Sequence, residues 1–488
     1  MSVSSKNDYT SQTVTGLAVN KCLITSATAS LEFKNAVIEF AYFEDIFTNT
    51  VHGSLLISDS SAFPNILSWC GEERLDLEIS KPGLRGNAFS GTFRIYNITK
   101  RHLTKDDNEN YLVNFCSESL VLSEKSRVCK TYTNTKISDI VKDIAFNYLN
   151  ISSSDFPDSN IEETFGNVTL TVPNMKPLEA INWLCTFAIV GDSKFGNHSG
   201  PEGGASYLFW KNRDGYNFRS LLSIFNTVNI HSSRSSTYMH PLARKENFIG
   251  YWYGIKNTDT PQGTQIFDPY SQIISYEVLN SYDSLEAQQR GMFCNRTISI
   301  DYITRLYQNN DFDYNNYFNN FLKQKVDLYR DLNNLPIVSN ATDGFGKTGN
   351  QYPEGTIKIY PSTTMQANNE FVKQNSPNIT PNYVENTVPY RLAQISLLGI
   401  NRIKMAIPGD PFITVGKLID VYIPQTTTDK NGNKLDDRFL TGTYLITCVR
   451  HALDQENEFK TIIEIVKDAY KDVDVVKGLA SFNGPLLP

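Results

Sequence analysis

Runs of strand-type sequence crowd both ends of this chain, and a stretch with helical period lies between them. In the first hundred residues, VIEFAYFEDIF (Val37–Phe47) and GSLLISD (Gly53–Asp59) are apolar, β-branched and aromatic. LDLEIS, TFRIYNIT and YLVNFCSE follow, with the turn signals KPG and KDDNEN between them. Strand runs recurring about every dozen residues predict an antiparallel sheet or small barrel. A short interruption, SAFPNILSWCG, is expected to form one or two helical turns. Along the first run, Ile38, Phe40 and Tyr42 alternate against Val37, Glu39, Ala41 and Phe43, one set facing the core.

From about Ser119 the period changes. In KISDIVKDIAFNYL, apolar residues fall at Ile137, Ile140, Val141, Ile144, Ala145, Tyr148 and Leu149, the i, i+3, i+4 spacing of an amphipathic helix. In MKPLEAINWLCTFA, Pro177 suits a first helical turn and Leu178, Ile181, Leu184, Cys185 and Ala188 form a buried stripe. YLFWKNRDGYNF then places two aromatic runs around Asp214-Gly215, a hairpin signal.

Past His240 the pattern is β again. A short helix is expected after Asp283 or Ser284, ending at Gly291, and NRTISIDYITRLY (Asn295–Tyr307) reads as one long alternating strand. A helix, NYFNNFLKQKVDLYRDL, is expected next. Residues 309–386 hold 16 asparagines and little other apolar periodicity, so they read as a long insertion or surface loop system. INRIKMAIPGD, VGKLIDVYIP, GTYLITCVRHAL and FKTIIEIVKDAY are four further strand-type runs.

At 488 residues the chain is long enough for about three domains. Forty-five Lys and Arg against 52 Asp and Glu give net −7, which argues against binding nucleic acid by phosphate neutralisation. Aromatic content of 12% with only 20% charge is the balance of a folded chain. The seven cysteines (Cys22, Cys70, Cys116, Cys129, Cys185, Cys294, Cys448) are scattered and never CxxC, so buried free thiols are expected. The start, MSVSSKNDYT, lacks the apolar region of a secretory signal, and WLCTFAIV (Trp183–Val190) is too short to span a bilayer. A soluble, intracellularly made protein is expected.

Catalytic patterns fail on their own chemistry. ATDGFGKT (Ala341–Thr348) resembles a phosphate loop but runs into GNQYPEG, where Pro353 and two glycines oppose the helix start such a loop needs. The histidines His52, His102, His198, His231, His240 and His451 have no metal-ligand spacing, and His451 in VRHAL reads as a packed or backbone-bonded strand residue. Acidic neighbours such as Glu44–Asp45 and Asp436–Asp437 have the residue types of a glycosidase pair, but neighbours on a strand point to opposite faces and on a loop are solvated. GPEGGAS (Gly200–Ser206) precedes a strand where a dinucleotide fingerprint would precede a helix, so it reads as a connection. No catalytic, cofactor-binding or metal-ligating residue is assigned, and no cofactor.

The ordered series of runs carries more than these searches. Glu44-Asp45-Ile46-Phe47 ends one strand, and Gly71-Glu72-Glu73-Arg74-Leu75 opens another after a short interruption. NFCSESLVLSEKSRVCKTY, ISDIVKDIAFNYL, TVPNMKPLEAINWLC and YLFWKNRDGYNF follow in order. Near the end, MAIPGDPFITVGKLIDVYIP supplies Gly409-Asp410 and Gly416, and GTYLITCVRHAL supplies Tyr444 and His451. In this order the series resembles the baseplate hub proteins of contractile-tailed bacteriophages, and the hub part of VgrG-type spikes, over about 20–260 and 388–470.

That resemblance implies a multidomain α+β fold with two tube-like antiparallel β-barrel domains, an α+β lobe and a C-terminal β-barrel-like part. The expected divisions are 1–118 and 240–387 for the tube-like domains, the latter carrying the insertion at about 309–386. Residues 119–239 form the α+β lobe and 388–488 the C-terminal β region. It implies a non-enzymatic homotrimer in the tail baseplate of a virion, assembled in the host cytoplasm. Six tube-like domains would form a pseudo-hexameric ring between the tail tube protein and a central spike protein, beside the tape measure and baseplate wedge proteins. An acidic balance fits DNA passage through such a ring, since a phosphate-binding lumen would retain the genome. Physics supports the arrangement, because ring closure covers long sheet edges that would otherwise invite aggregation. The alternatives are a VgrG-like subunit of a secretion or injection system and, from another class, a cell-wall carbohydrate hydrolase.

Overall fold

The computed structural model describes residues 16–60, 66–67, 69–71, 73–81, 89–104, 108–191, 200, 203–226, 248–253, 272–281, 283–317, 320, 345–375, 384–399, 401–428, 434–437 and 439–467. The fold is α+β and rich in strands.

The first seven strands are β1 (Ala18–Thr25), β2 (Ser30–Glu32), β3 (Val37–Asp45), β4 (His52–Asp59), β5 (Arg74–Ser80), β6 (Phe89–Leu103) and β7 (Glu109–Ser117). They pair antiparallel in the order β3-β4-β7-β6-β5-β1-β2. Strict alternation puts Leu55 and Ile57, Leu75, Leu77 and Ile79, and Val113 and Phe115 on one buried face. Within β3, Phe40 and Tyr42 enter that core and Phe43 is 38% exposed, as the alternation predicts. Ile38 departs from it. A register shift between Val37 and Glu39 inserts one residue, so Val37 packs on the core instead. Ala41, small and paired with Ser54 and Ala452, is buried as well. Most of the SAFPNILSWCG stretch lies outside the described residues.

The middle lobe contains α1 (Glu118–Lys125), β8 (Val128–Thr135), α2 (Ile137–Asn147), β9 (Val168–Met175), α3 (Pro177–Cys185), β10 (Tyr207–Asn212), β11 (Gly215–Ser220) and α4 (Leu221–Asn226). Helix α2 buries Ile137, Ile140, Val141, Ile144 and Ala145, the stripe its spacing predicts. Each large aliphatic side chain so buried contributes roughly 1.5–3 kcal/mol. Strands β10 and β11 form the expected hairpin, turning at Asp214 and Gly215, where Gly215 has φ 126°.

The later strands are β12 (Phe248–Tyr253), β13 (Gln272–Ile273), β14 (Ser275–Ser281), β15 (Cys294–Asp301), β16 (Leu306–Asp313), β17 (Ile357–Pro361), β18 (Asn401–Pro408), β19 (Leu418–Tyr422), β20 (Pro424–Thr428), β21 (Lys434–Asp436), β22 (Gly442–Leu453) and β23 (Phe459–Lys467). Asn295–Tyr307 is a hairpin, not the single long strand its alternation suggests. The Asp301 carboxylate accepts the N–H groups of Ile303 and Thr304, Arg305 takes the left-handed conformation, and β16 returns along β15. The expected short helix is present as Ser284–Gln289, with Asp283 Oδ1 accepting Glu286 N at 2.8 Å.

The Asn-rich stretch is more ordered than a loop system in its described parts. β17 pairs parallel with β15, and a helix spans Val384–Ser396. Tertiary polar contacts hold that helix: Ser362 Oγ donates to Glu385 at 2.6 Å, and Gln394 Oε1 accepts from Ala205 N at 2.9 Å and Ser206 Oγ at 2.8 Å. Of the helix expected over NYFNNFLKQKVDLYRDL, the described part shows one turn, Tyr314–Tyr317. The cysteines are free, with Cys22, Cys116, Cys185 and Cys294 buried, whereas Cys70 and Cys129 are exposed against expectation. Among the described residues no helix is long and apolar enough to cross a membrane.

Among the described residues fourteen strands form one sheet, and its branch point is β22. Along one edge β22 pairs with β23 from Leu445 to Leu453. Along the other, Gly442–Leu445 pair with β19 and Cys448–Leu453 pair with β3. Thr447 sits at the bulge between these partners. The first lobe's core therefore takes in Leu453 and Phe459. A second core gathers side chains from β13, β18, β19, β22 and β23 with Trp210, Leu221, Ile224 and Phe225 of the middle lobe. Two separately closed barrels were expected. The described ladders leave one shared sheet open, and strands from both sides of the expected 387/388 division belong to it.

Candidate functional site

Part of the residues that carried the resemblance, Glu44, the hairpin tip and the loop after β18, meet where the lobes come together, whereas Glu73 caps Cys70 and Gly71 and Arg74 pairs with Asp76 within the first lobe. From the first lobe, the alternation of β3 turns Glu44 inward behind Phe40 and Tyr42, while Asp45 faces the other way and accepts Phe47 N at 2.8 Å. Glu44 is 2% exposed. Its Oε1 accepts Arg213 N at 2.6 Å, from the tip of the β10–β11 hairpin. Its Oε2 accepts Val415 N at 3.1 Å, from the loop between β18 and β19. Burial pushes this carboxyl up to about 7, against the opposing pull of the two N–H donors.

The hairpin tip grips the same loop. Asn212 Nδ2 donates to Val415 O at 3.2 Å, and Arg213 Nη1 to Pro411 O at 2.7 Å. The Arg213 guanidinium lies 4.9 Å from the Phe412 ring centre, a cation–π distance. Asp214 bridges to Arg213 at 3.0 Å and to Lys417 at 3.1 Å. Burial raises its carboxyl, but Lys417 and Arg213 outweigh that and hold it below the usual carboxylate range.

The loop itself is tied to the sheet at every turn. Gly409 N donates to Phe459 O at 3.0 Å, Asp410 N to Thr461 Oγ1 at 3.0 Å, and Gly416 N to Ile446 O at 3.0 Å. Asp410 Oδ1 accepts Phe412 N at 3.0 Å, closing the turn. Lys81, buried, donates to Gly409 O. Gly416 has φ 82°, and a Cβ there would stand 2.9 Å from the Trp210 ring. His451 lies fully buried on β22 with Nε2 3.0 Å from Ile413 O and Nδ1 3.1 Å from Thr461 Oγ1. A carbonyl only accepts, so Nε2 carries the proton and Thr461 donates to Nδ1. Burial depresses this imidazole to about 3, so it stays neutral.

Glu44, Asp214, Gly409, Asp410, Gly416 and His451 are thus brought into one junction, Gly215 turns the hairpin against Asp155 of its own lobe, and Tyr444 lies in the second core beside the junction. Lys81, Asn212, Arg213 and Trp210 complete it, and only the hairpin among these had a sequence signal. Asp437 is elsewhere, its carboxylate accepting Phe439 N at 2.8 Å and Leu440 N at 3.0 Å as a turn cap. The phosphate-loop-like segment runs from Thr348 into a 3-10 turn, Gly349–Gln351, with no helix start. Among the described residues no group of three or more His, Cys, Asp and Glu could hold a metal ion. With both Glu44 oxygens and both His451 nitrogens engaged by the fold, the chemistry of this junction is holding lobes together.

No family model matches the chain. It is 21% identical over 481 residues to a protein of Vibrio phage KVP40 named "Probable baseplate hub protein", covering 95% of this chain and 97% of the relative. The likeness to baseplate hub proteins therefore runs nearly the full length. Solved structures with a similar course include the tail protein from Neisseria meningitidis (TM-score 0.45, 8% identity, 93% of this chain and 97% of that chain). Another is the prophage MuSo2 43 kDa tail protein from Shewanella oneidensis (TM-score 0.44, 9% identity, 92% and 97%).

Proposed function

We propose that this chain is a structural subunit of a contractile-tail baseplate hub, a trimer that joins the tail tube to a central spike and lets DNA pass. The observation that carries this reading is the near full-length likeness to a protein named "Probable baseplate hub protein". The sheet supports it. One tube-like unit consists of β1–β7 with the Leu453 end of β22–β23. The other consists of β12–β14, β18 and β19 with the opposite end of the same two strands. Each chain then supplies two such units in fixed relation, six in a trimer.

The open edge is the second support. β14 pairs with β18 and with no other named strand among those described, and its Val278 and Leu279 are 39% and 42% exposed. An apolar edge of this kind is a hazard in a free monomer and is resolved by ring closure. The role is one of assembly, without catalysis, and its place is the tail baseplate, with tube, tape measure, wedge and spike proteins around it. Mass measurement in solution tests it: a trimer is expected, alone or with a spike, and a monomer that stays monomeric at every concentration refutes it.

A further inference from the structure

Strand β15 is inside out. Its alternation sends Asn295, Thr297, Ser299 and Asp301, all fully buried, toward the body of the lobe, where Gln366 Nε2 donates to Asp301 at 2.5 Å. Its other face carries Arg296, Ile298 and Ile300, level with Ile357, Ile359 and Tyr307 of the flanking strands. Those three neighbours are 47%, 61% and 71% exposed. A sheet with one covered face normally turns its apolar side inward. This one turns it outward, the arrangement of a face that assembly covers.

β17 is also an unpaired edge. All five of its residues are exposed, and no strand among those described flanks it on the side away from β15. Arg296 N donates to Thr356 O and Ser362 N to Ile300 O, so alternate residues of 356–362 turn their backbone groups to β15. The N–H groups of Ile357 and Ile359 therefore point the other way. Arg296 is paired with Asp311 at 2.6 Å and with Glu354 at 3.3 Å, which leaves the face to recognise apolar surface, not charge. With Tyr302, Ile303 and Leu306 at the hairpin end, the exposed side chains amount to on the order of 800 Å², the share each partner of a stable interface buries. The largest patch on an ordinary monomer is roughly 300–600 Å².

We propose that this surface is a subunit contact, in which the β17 edge and its apolar face receive the open β14 edge of a second copy of this chain. The proposal rests on the trimer reading above. Every contact of a cyclic trimer joins two different patches of the same chain. β14 supplies the second patch, paired only with β18 among the described strands and exposing Ile274, Val278 and Leu279. More than half of the large apolar residues exposed among those described lie between Ile274 and Phe371, the segment that holds both patches. Joining the two edges continues the sheet from one subunit to the next and gives the outward N–H groups of β17 their acceptors.

Mass measurement over a dilution series tests the contact. Each buried isoleucine is worth about tenfold or more in affinity, so Ile357→Lys with Ile359→Lys should weaken the trimer at least roughly 100-fold. Adding Val278→Glu and Leu279→Glu to that chain should recover about tenfold, because opposite charges then meet across the contact. A lysine variant as trimeric as the wild type, or a loss that the glutamates deepen or leave unchanged, overturns the contact while the hub reading stands. A wild-type chain that stays monomeric at every concentration removes both. Should the variants fail to fold, hydrogen exchange on the wild-type chain decides. The Ile357 and Ile359 amides are expected to slow as rising concentration forms the trimer, and rates that ignore concentration overturn the contact.

Discussion

Gly409 is the position where the junction has least room, and Gly409→Ala measures how tightly the loop is seated. A Cβ there would lie 2.0, 2.3 and 2.6 Å from Cδ1, Cγ and Cε1 of Phe459. Ordinary contact begins near 3.4 Å, so something must move by more than an ångström. The ring has nowhere to go. Phe459 is fully buried, with Phe89 at 6.2 Å, His451 at 6.0 Å and the Lys81 ammonium at 5.7 Å from its centre. The glycine is pinned as well, by its N–H to Phe459 O and by Lys81 on its own carbonyl.

Two relaxations are open. Expelling the ring forfeits about 1.5–3 kcal/mol of burial and disturbs its aromatic neighbours. Lifting the loop breaks the bonds of Gly409, Asp410 and Lys81, at about 1 kcal/mol each. Either route costs about 3 kcal/mol, a large share of the 5–15 kcal/mol typical of a folded domain. Urea unfolding gives the size, and hydrogen exchange at residues 409–417 shows whether the loop has lifted. Phe459→Leu in the same chain should recover part of the loss, giving less than additive destabilisation. A loss below about 1 kcal/mol with unchanged exchange would refute the seating described here.

Two further outcomes follow from the same geometry. Burial holds His451 near 3 against 6.5 when unfolded, so the neutral imidazole favours the folded state fully above 6.5 and progressively less as pH falls toward 3. At about 1.4 kcal/mol per unit that is about 5 kcal/mol, read as wild type minus His451→Gln so that the opposite contribution of Glu44 cancels; a flat difference curve sinks it. Val278→Lys with Leu279→Lys places charges on the exposed edge of β14, where surface changes cost under about 0.5 kcal/mol of stability, and should shift the trimer toward monomer in mass measurements. A double variant as trimeric as the wild type would remove β14 from the ring contact.

What the sequence made legible is what local periodicity encodes. The strands of the first lobe, the stripes of α2 and α3, the β10–β11 turn and the four C-terminal strands each follow from spacing within a dozen residues. Where tertiary partners decide, spacing misleads. Asn295–Tyr307 alternates without a break, yet Asp301 and a left-handed Arg305 fold it back on itself. Ile38 alternates with Phe40, yet one inserted residue rotates it out of the core. The Val384–Ser396 helix shows little apolar period because Glu385 and Gln394 fix it through polar bonds to residues that are remote in sequence.

The junction lies further beyond local signals. Glu44 looked like half of an acidic pair, and nothing near it announces that its partners are the backbones of Arg213 and Val415. Its role depends on the branching of β22 at Thr447, whose carbonyl accepts Ile46 N at 2.9 Å just as β3 ends. One bulge residue hands the strand from β19 to β3 and so brings the end of β3 beneath the loop that follows β18. Had β22 run on without that bulge, a one-residue slip would exchange the faces of its far half and turn His451 away from Ile413 and Thr461. Deleting Thr447 should therefore do more damage than any single side-chain truncation at the junction, because it separates the first lobe's core from the loop that Glu44 and His451 hold.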